Sequence, residues 1–552
     1  MAIELLLSTI ESGPLLPRGA ADQVAAYRPA IDVPEPPTLD ASDGLEDLRR
    51  QHWGLVVPQR ARERVEWIAP LVELRQREMA DRSLTVLEVP PGVDDTTAAL
   101  GWRTRYYDRL RDRPRYLLIL GDLHEISLAV QQMLGITAYV GRLCFNDIDG
   151  THDPHRYHDY AVKLAEIERQ NATWVERPRL LFFATRDTAD RELREHHASV
   201  FAHTYYSLEG DETLDREHLL RLDDPAGHQW DELRQHAAQE HPGVLFSLAH
   251  GLAESDRLDQ RRRQGTLYLP PPPGSPSGSF VEPEELSRGP FLNRGFWIYK
   301  ACFGAGTPTI SAYHELLRQL EGDNAPAVRR AREFLAPRDA RPFVARLPQV
   351  VLANPRGPLG FLGHVDIDWG YAYQAPTLSR TGFVQVFRQA SAYARLTDSL
   401  ARGHRFGLAM TALNRQAMVA ASALAIDETQ ELPADERGAR ARLELRAHLR
   451  LQYLDLRGYI LLGDPAARLP VRPSVETVPG AATPSELAPA RRSRSLSASE
   501  AQEAVLRHIR GESLPDIARD LPIDDQELAE AVSAYRSAGF RVLQELFPEP
   551  SR

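Results

Sequence analysis

Two stretches decide the fold: Val244-Leu245-Phe246-Ser247-Leu248-Ala249-His250-Gly251 and Gly295-Phe296-Trp297-Ile298-Tyr299-Lys300-Ala301-Cys302-Phe303-Gly304-Ala305-Gly306. Each is an apolar run of strand length that stops at a reactive residue flanked by glycine. Short runs rich in β-branched and aromatic residues, bounded by Gly, read as buried strands of a parallel sheet. In open α/β sheets chemistry gathers at the carboxyl ends of such strands. The pattern therefore predicts His250 and Cys302 side by side at one sheet edge, an imidazole next to a thiol. That is the minimum for a cysteine nucleophile with a histidine general base.

His-Gly after one strand, followed by Ala-Cys-x-Gly after a later one, resembles the caspase–gingipain superfamily of cysteine peptidases (clan CD). Further stretches resemble its gingipain branch: Tyr116-Leu117-Leu118-Ile119-Leu120-Gly121-Asp122, then Tyr139-Val140-Gly141-Arg142-Leu143 with a helix spanning Tyr160 to Glu168, and Tyr459-Ile460-Leu461-Leu462-Gly463-Asp464-Pro465. The order of these motifs along roughly residues 80 to 470 carries the signal. The resemblance implies an α/β fold, a caspase-like, mainly parallel sheet flanked by helices. A smaller α/β subdomain precedes it, and a small all-α module follows. It also implies an oxyanion hole from the backbone N–H groups of Gly251 and Cys302.

Composition narrows the class. The chain has 552 residues, 43% hydrophobic and 26% charged, which suits a globular protein of more than one domain. A formal net charge of −11 argues against coating nucleic acid or docking on an anionic membrane. No apolar run approaches the ~20 residues that span a bilayer. The start, Met1-Ala2-Ile3-Glu4-Leu5-Leu6-Leu7, lacks a basic secretory n-region. Cys144 and Cys302 are the only cysteines, too few for a disulfide framework and suited to a reducing cytosol. The expectation is a cytoplasmic relative of secreted enzymes.

Along the chain, residues 1–80 read as a lead-in with a short strand at Ile3–Thr9, a strand at Trp53–Pro58 and a helix at Ala61–Met79. Residues 81–175 form the smaller subdomain: a strand at 84–89, a helix at Thr96–Arg111, and the Gly121-Asp122 strand. Residues 176–469 form the catalytic domain, opening with the strand Arg179–Ala184. A helix at Asp187–His197, a strand near His203–Ser207 and a helix at Asp231–Glu240 follow, as βαβ crossovers require. A Pro-rich loop around 270–280 separates His250 from Cys302. After Cys302 come a helix at Thr309–Glu321, the strand Gly360–Val365 running into Asp366-Ile367-Asp368-Trp369-Gly370, and helices over Thr381–Leu451. Residues 470–495 read as a linker. Residues 496–552 resemble a helix-turn-helix. Its third helix carries Asp524, Asp525, Glu527 and Glu530, the wrong sign for phosphates, so protein interaction is favoured over DNA binding.

Cys302 acts through its thiolate, and His250 supplies the base and later protonates the leaving amine. Gly251 has a physical reason, because substrate backbone approaches closely there. A core thiol and a satisfied core histidine are the bland alternatives. Spacing, flanking glycines and strand placement favour catalysis. Cys144, inside an apolar strand, is assigned to the core. In this superfamily the residue two before the nucleophile often lines the S1 pocket, and the turn after the first catalytic strand contributes to it. These positions are Lys300 and Thr185-Arg186-Asp187. Lys300 and Arg186 favour an acidic P1 side chain. Asp187, Asp190, Asp366 and Asp368, in segments that can line the same pocket beside Trp369, favour a basic one, or pair with Lys300. The balance leans to acidic P1.

A protein or peptide substrate and an activating protease or regulatory partner are expected, with no cofactor and no membrane. The exposed Pro-rich loop and the linker are nicking sites that suit a latent enzyme. Similarity to caspase-like proteins with C-terminal adaptors implies a stress or antiviral-defence pathway, by analogy. A silent caspase-like scaffold and a non-peptidase cysteine acyl transferase or hydrolase are the competing classes. His152, His155 and His158 cluster without the cysteine or acidic pattern of a structural zinc site, so no metal is expected.

Overall fold

The computed structural model describes residues 44–472 and the pairs 7–8 and 13–14. Excepted are 171–173, 186–189, 210–215, 224–228, 254–256, 271–277, 320–325, 327, 330–331, 334–340, 379–383 and 389. The linker beyond residue 472 and the module expected at 496–552 lie outside the described residues. The chain divides into two compact units, Met1–Ser474 and Val475–Arg552, and all the described residues belong to the first.

Ten strands build one sheet: β1 (Trp53–Pro58), β2 (Thr85–Val89), β3 (Tyr116–Leu120), β4 (Tyr139–Leu143), β5 (Arg179–Ala184), β6 (Leu219–Leu222), β7 (Gly243–Leu248), β8 (Phe296–Lys300), β9 (Gly360–His364) and β10 (Tyr459–Gly463). Their spatial order is β2-β1-β3-β4-β10-β9-β8-β7-β5-β6. The interior strands β3, β7, β8, β9 and β10 are buried along their whole length. This is why they read as continuous apolar runs rather than alternating ones: helices cover both faces of a parallel sheet.

One junction breaks the parallel pattern. β10 pairs in parallel with β4 but antiparallel with β9, with His364 opposite Tyr459. Two parallel half-sheets, β1–β4 with β10 and β5–β9, therefore meet in opposite directions. The carboxyl ends of β7, β8 and β9 lie on one edge. Those of β3 and β4 lie on the other, with Gly121, Asp122 and Cys144. There Asp122 accepts from the N–H groups of Leu123 and Val344, both at 2.7 Å, and from Asn146 Nδ2 at 2.9 Å. Asp464 similarly takes Trp53 Nε1 at 2.9 Å and Arg75 Nε at 2.8 Å. Both Gly-Asp pairs thus serve the frame.

Three expectations are corrected. Residues 203–207 lie in a helix, Ala202–Glu209, not a strand. Phe201 and Tyr205 stack edge-on against Phe182 at 5.7 and 5.4 Å, with Thr204 and Leu208 also buried. The helical spacing of that face outweighs the β-propensity of Thr-Tyr-Tyr. The helix expected over Thr96–Arg111 is α-helical over Thr96–Trp102 and continues as a π turn, Arg103–Tyr107. The region after Thr381 opens with a strand, Val384–Arg388, paired to Gln374–Leu378, before the helices Ser391–Ala401, Thr411–Glu428 and Glu436–Arg457. Of the strand expected at Ile3–Thr9, Leu7–Ser8 is described, paired with Gly13–Pro14. Among the described residues no helix is long and apolar enough to cross a membrane.

Candidate active site

β7 and β8 are neighbours with Leu248 opposite Lys300, and the Ala249 N–H donates to the Lys300 carbonyl at 3.2 Å. The register ends at that pair, and His250 and Cys302 each follow two residues beyond it. The approach continues at Gly251, where a Cβ would lie 1.8 Å from the Cys302 carbonyl oxygen. Glycine is therefore the one residue that lets the two loop starts meet. The Gly251–Leu267 bridge uses the Leu252 N–H, to the Thr266 carbonyl at 2.8 Å, and the His250 carbonyl, from Tyr268 N–H at 3.0 Å. This pattern turns the Gly251 N–H away from Leu267. Cys302 is partly exposed, and His250 keeps 23% of its side chain accessible, so the pair faces solvent.

The histidine has a third partner. His250 Nε2 lies 2.7 Å from Asp190 Oδ2, while Asp190 Oδ1 accepts the Leu193 N–H at 3.1 Å. One carboxylate thus caps the helix Arg191–His196 and fixes the imidazole. Sequence reading placed Asp190 among the carboxylates that could line S1. Sixty positions separate it from His250, and no local pattern links the two.

The remaining S1 candidates fall differently. Lys300 is buried with its Nζ 2.5 and 2.7 Å from the Asp368 carboxylate and 3.1 Å from the Tyr459 hydroxyl. The ammonium holds the Asp368 carboxyl well below the usual range, against the opposing pull of burial. Asp366 is also buried, and burial raises its pKa although it accepts from the Ile367 and Ala312 N–H groups, each at 2.8 Å. Trp369 is half-buried, and its backbone N–H donates to Asp455 Oδ1 at 3.0 Å. Cys302 Sγ lies 3.9 Å from the Asp368 carbonyl, so this segment flanks the thiol. Arg186 and Asp187 lie outside the described residues.

The turn after Cys302 is conformationally unusual. Phe303 has φ +56° and Asp366 φ +115°, both in the left-handed half of the map, and the Phe303 N–H donates to the Asp366 carbonyl at 2.7 Å. Cys144 is buried on the opposite edge, where burial raises its thiol pKa. His152 is taken by Glu125 at 2.8 Å and the Tyr157 hydroxyl at 3.0 Å. Among the described residues no cluster of three His, Cys, Asp or Glu side chains is placed to hold a metal.

No family model matches the chain, and no curated protein does. Among solved structures, the Arg-specific cysteine proteinase gingipain R superposes with a TM-score of 0.38 at 10% identity, covering 76% of this chain and 78% of that one. The complex of the Porphyromonas gingivalis RgpB pro- and mature domains gives 0.37 at 10% identity, over 76% and 80% of the two chains. At that score and identity the functional reading rests on the site itself.

Proposed function

We propose that this chain is a cysteine endopeptidase in which Cys302 is the nucleophile and His250 its base. One observation carries the reading: an imidazole held by a carboxylate on one side meets a thiol-bearing turn across neighbouring strand ends. With Nε2 on Asp190, Nδ1 is the nitrogen assigned to take the Sγ proton. Sulfur attacks the scissile carbonyl, and the oxyanion is met by the Gly251 and Cys302 N–H groups. The imidazolium returns its proton to the leaving amine as the C–N bond breaks. Water, deprotonated by the same ring, then cleaves the thioester and restores the thiol. Asp190 keeps the ring oriented and balances its transient charge.

Trp369, Lys300, Asp366 and Asp368 with residues 186–187 are the proposed S1 surroundings. Lys300 and Asp368 neutralise each other, so an acidic-P1 preference rests on Arg186 against Asp187 beside it. Two free cysteines suit a reducing compartment. Latency, with release by cleavage in the 270–280 loop or the linker within a stress or defence pathway, completes the proposal. The C-terminal module would then bind protein. A silent scaffold is the second reading; it leaves the His250–Asp190 contact without a purpose. The test incubates the full chain and its Cys302→Ala variant with a P1-diverse peptide library, before and after limited proteolysis. Cleavage by the wild type alone supports the proposal and reads the P1 residue. Silence of both after nicking favours the scaffold.

A further inference from the structure

Below the thiol, β9 ends in a buried histidine with two unusual contacts. His364 Nδ1 lies 3.0 Å from the Asp366 carbonyl oxygen, and Nε2 lies 2.8 Å from the Asp455 carbonyl oxygen. A carbonyl only accepts, so a hydrogen bond to either oxygen takes its N–H from the ring. The groups packed around it are the Asp455 carboxylate, with Oδ1 at 3.8 Å, the edge of Tyr459 at 4.9 Å, and the Lys300–Asp368 pair bonded to that tyrosine. Gly458 makes room for the ring: a Cβ there would meet His364 Nε2 at 2.0 Å.

The Asp366 carbonyl has a second donor, the Phe303 N–H. One oxygen therefore joins His364 to the residue directly after Cys302. Both residues of that bond sit in the left-handed half of the map, where an ordinary side chain costs on the order of 1–3 kcal/mol. Such backbone persists when its surroundings over-determine it. At Asp366 they do: the carboxylate takes the Ile367 and Ala312 N–H groups, and the carbonyl takes Phe303 and His364. The Ala305 N–H closes the far side of the turn on the His364 carbonyl at 3.0 Å.

We propose that His364 is a positioning residue for the nucleophile, its Nδ1–H holding the Asp366 carbonyl against the Phe303 N–H and so fixing the Cys302 turn. The inference rests on Cys302 being the nucleophile. The two ring nitrogens have separable partners, and two amides imitate them one at a time. In His364→Asn the side-chain amide stands where Nδ1 stood and reaches Asp366. In His364→Gln it stands where Nε2 stood and reaches Asp455 instead.

The experiment compares both variants with the wild-type chain in three readouts: peptide turnover, thermal stability, and iodoacetamide labelling of Cys302 resolved from Cys144 by peptide mass spectrometry. His364→Asn is expected to keep turnover and Cys302 labelling within about threefold. His364→Gln is expected to lose about tenfold or more in kcat with KM little changed, as misplacing a reacting group does. Equal kcat in both variants, or losses that follow melting temperature alone, would overturn the proposal. If the wild type cleaves no peptide even after limited proteolysis, the peptidase reading fails, and the order of the Cys302 labelling rates still decides the role of His364. If the variants do not fold, 15N-histidine NMR of the wild type decides: an N–H on Nδ1 of His364 is expected, and a ring bearing its N–H on Nε2 alone overturns it.

Discussion

At the scale of single residues, some contacts leave no room for an alternative side chain. A methyl group at position 251 would sit 1.8 Å from the Cys302 carbonyl, well inside any tolerated contact. Gly251→Ala is therefore predicted to abolish turnover while the rest of the sheet still forms, checked by peptide assay beside far-UV circular dichroism. Asp190 differs, since it is proposed to act through the imidazole that it holds. Asp190→Asn keeps the shape and loses the charge that holds the imidazole, so kcat is predicted to fall by about 10²-fold or more. Its pH profile would shift as well, whereas a purely structural role would leave that profile in place. Cys302 and His250 were legible as candidates because each closes an apolar run, with Gly251 directly after the histidine and Gly304 two residues after the cysteine. Asp190 was not legible as their partner, because its contact is made through space from a helix cap.

At the scale of elements, burial decides which charges survive. His448 on the helix Glu436–Arg457 is fully enclosed, paired through Nε2 to the Gln374 side chain, and burial lowers its pKa to about 4. The unfolded chain then binds a proton at this site that the folded chain refuses between about pH 6.5 and 4. Stability from this histidine is present above that window and lost as pH falls through it. Asp455 acts in the opposite sense: burial and the Asp368 charge raise its pKa to about 6, favouring the fold below that pH. Comparison of wild type with His448→Gln cancels Asp455. Urea unfolding of the pair across pH 7 to 4 is predicted to show a shallower acid slope in the variant, by up to about 1.4 kcal/mol per pH unit. Continuous apolar runs of strand length, such as β3 and β7, could be read directly. The helix Ala202–Glu209 could not, since its local Thr-Tyr-Tyr composition favours strand, while its buried face, with Tyr205 against Phe182, follows helical spacing.

At the scale of the whole molecule, the last of the ten strands in sequence stands at the centre of the sheet. β10 pairs with β4 on one side and β9 on the other, so the two half-sheets share it. Motif order along the chain predicted the α/β class and the neighbouring strands that lead to His250 and Cys302, but not this reversal, because strand direction between distant segments has no local signature. A chain ending at Ser474 retains the first compact unit and is predicted to fold and keep turnover. One ending at Arg457 lacks β10 and is predicted to lose cooperative unfolding. Circular dichroism melts of the two truncations check this.

The pairing of Cys302 with His250 is tested most directly by labelling. Wild type and His250→Ala would be treated with iodoacetamide from pH 5 to 9, and the rate at Cys302 read by peptide mass spectrometry with buried Cys144 as internal reference. Rapid Cys302 labelling at pH 6 is predicted in the wild type. In His250→Ala the rate should fall to that of an ordinary thiol, which reacts appreciably near its usual pKa of about 8.5. The same rate–pH curve for both proteins would contradict the pairing.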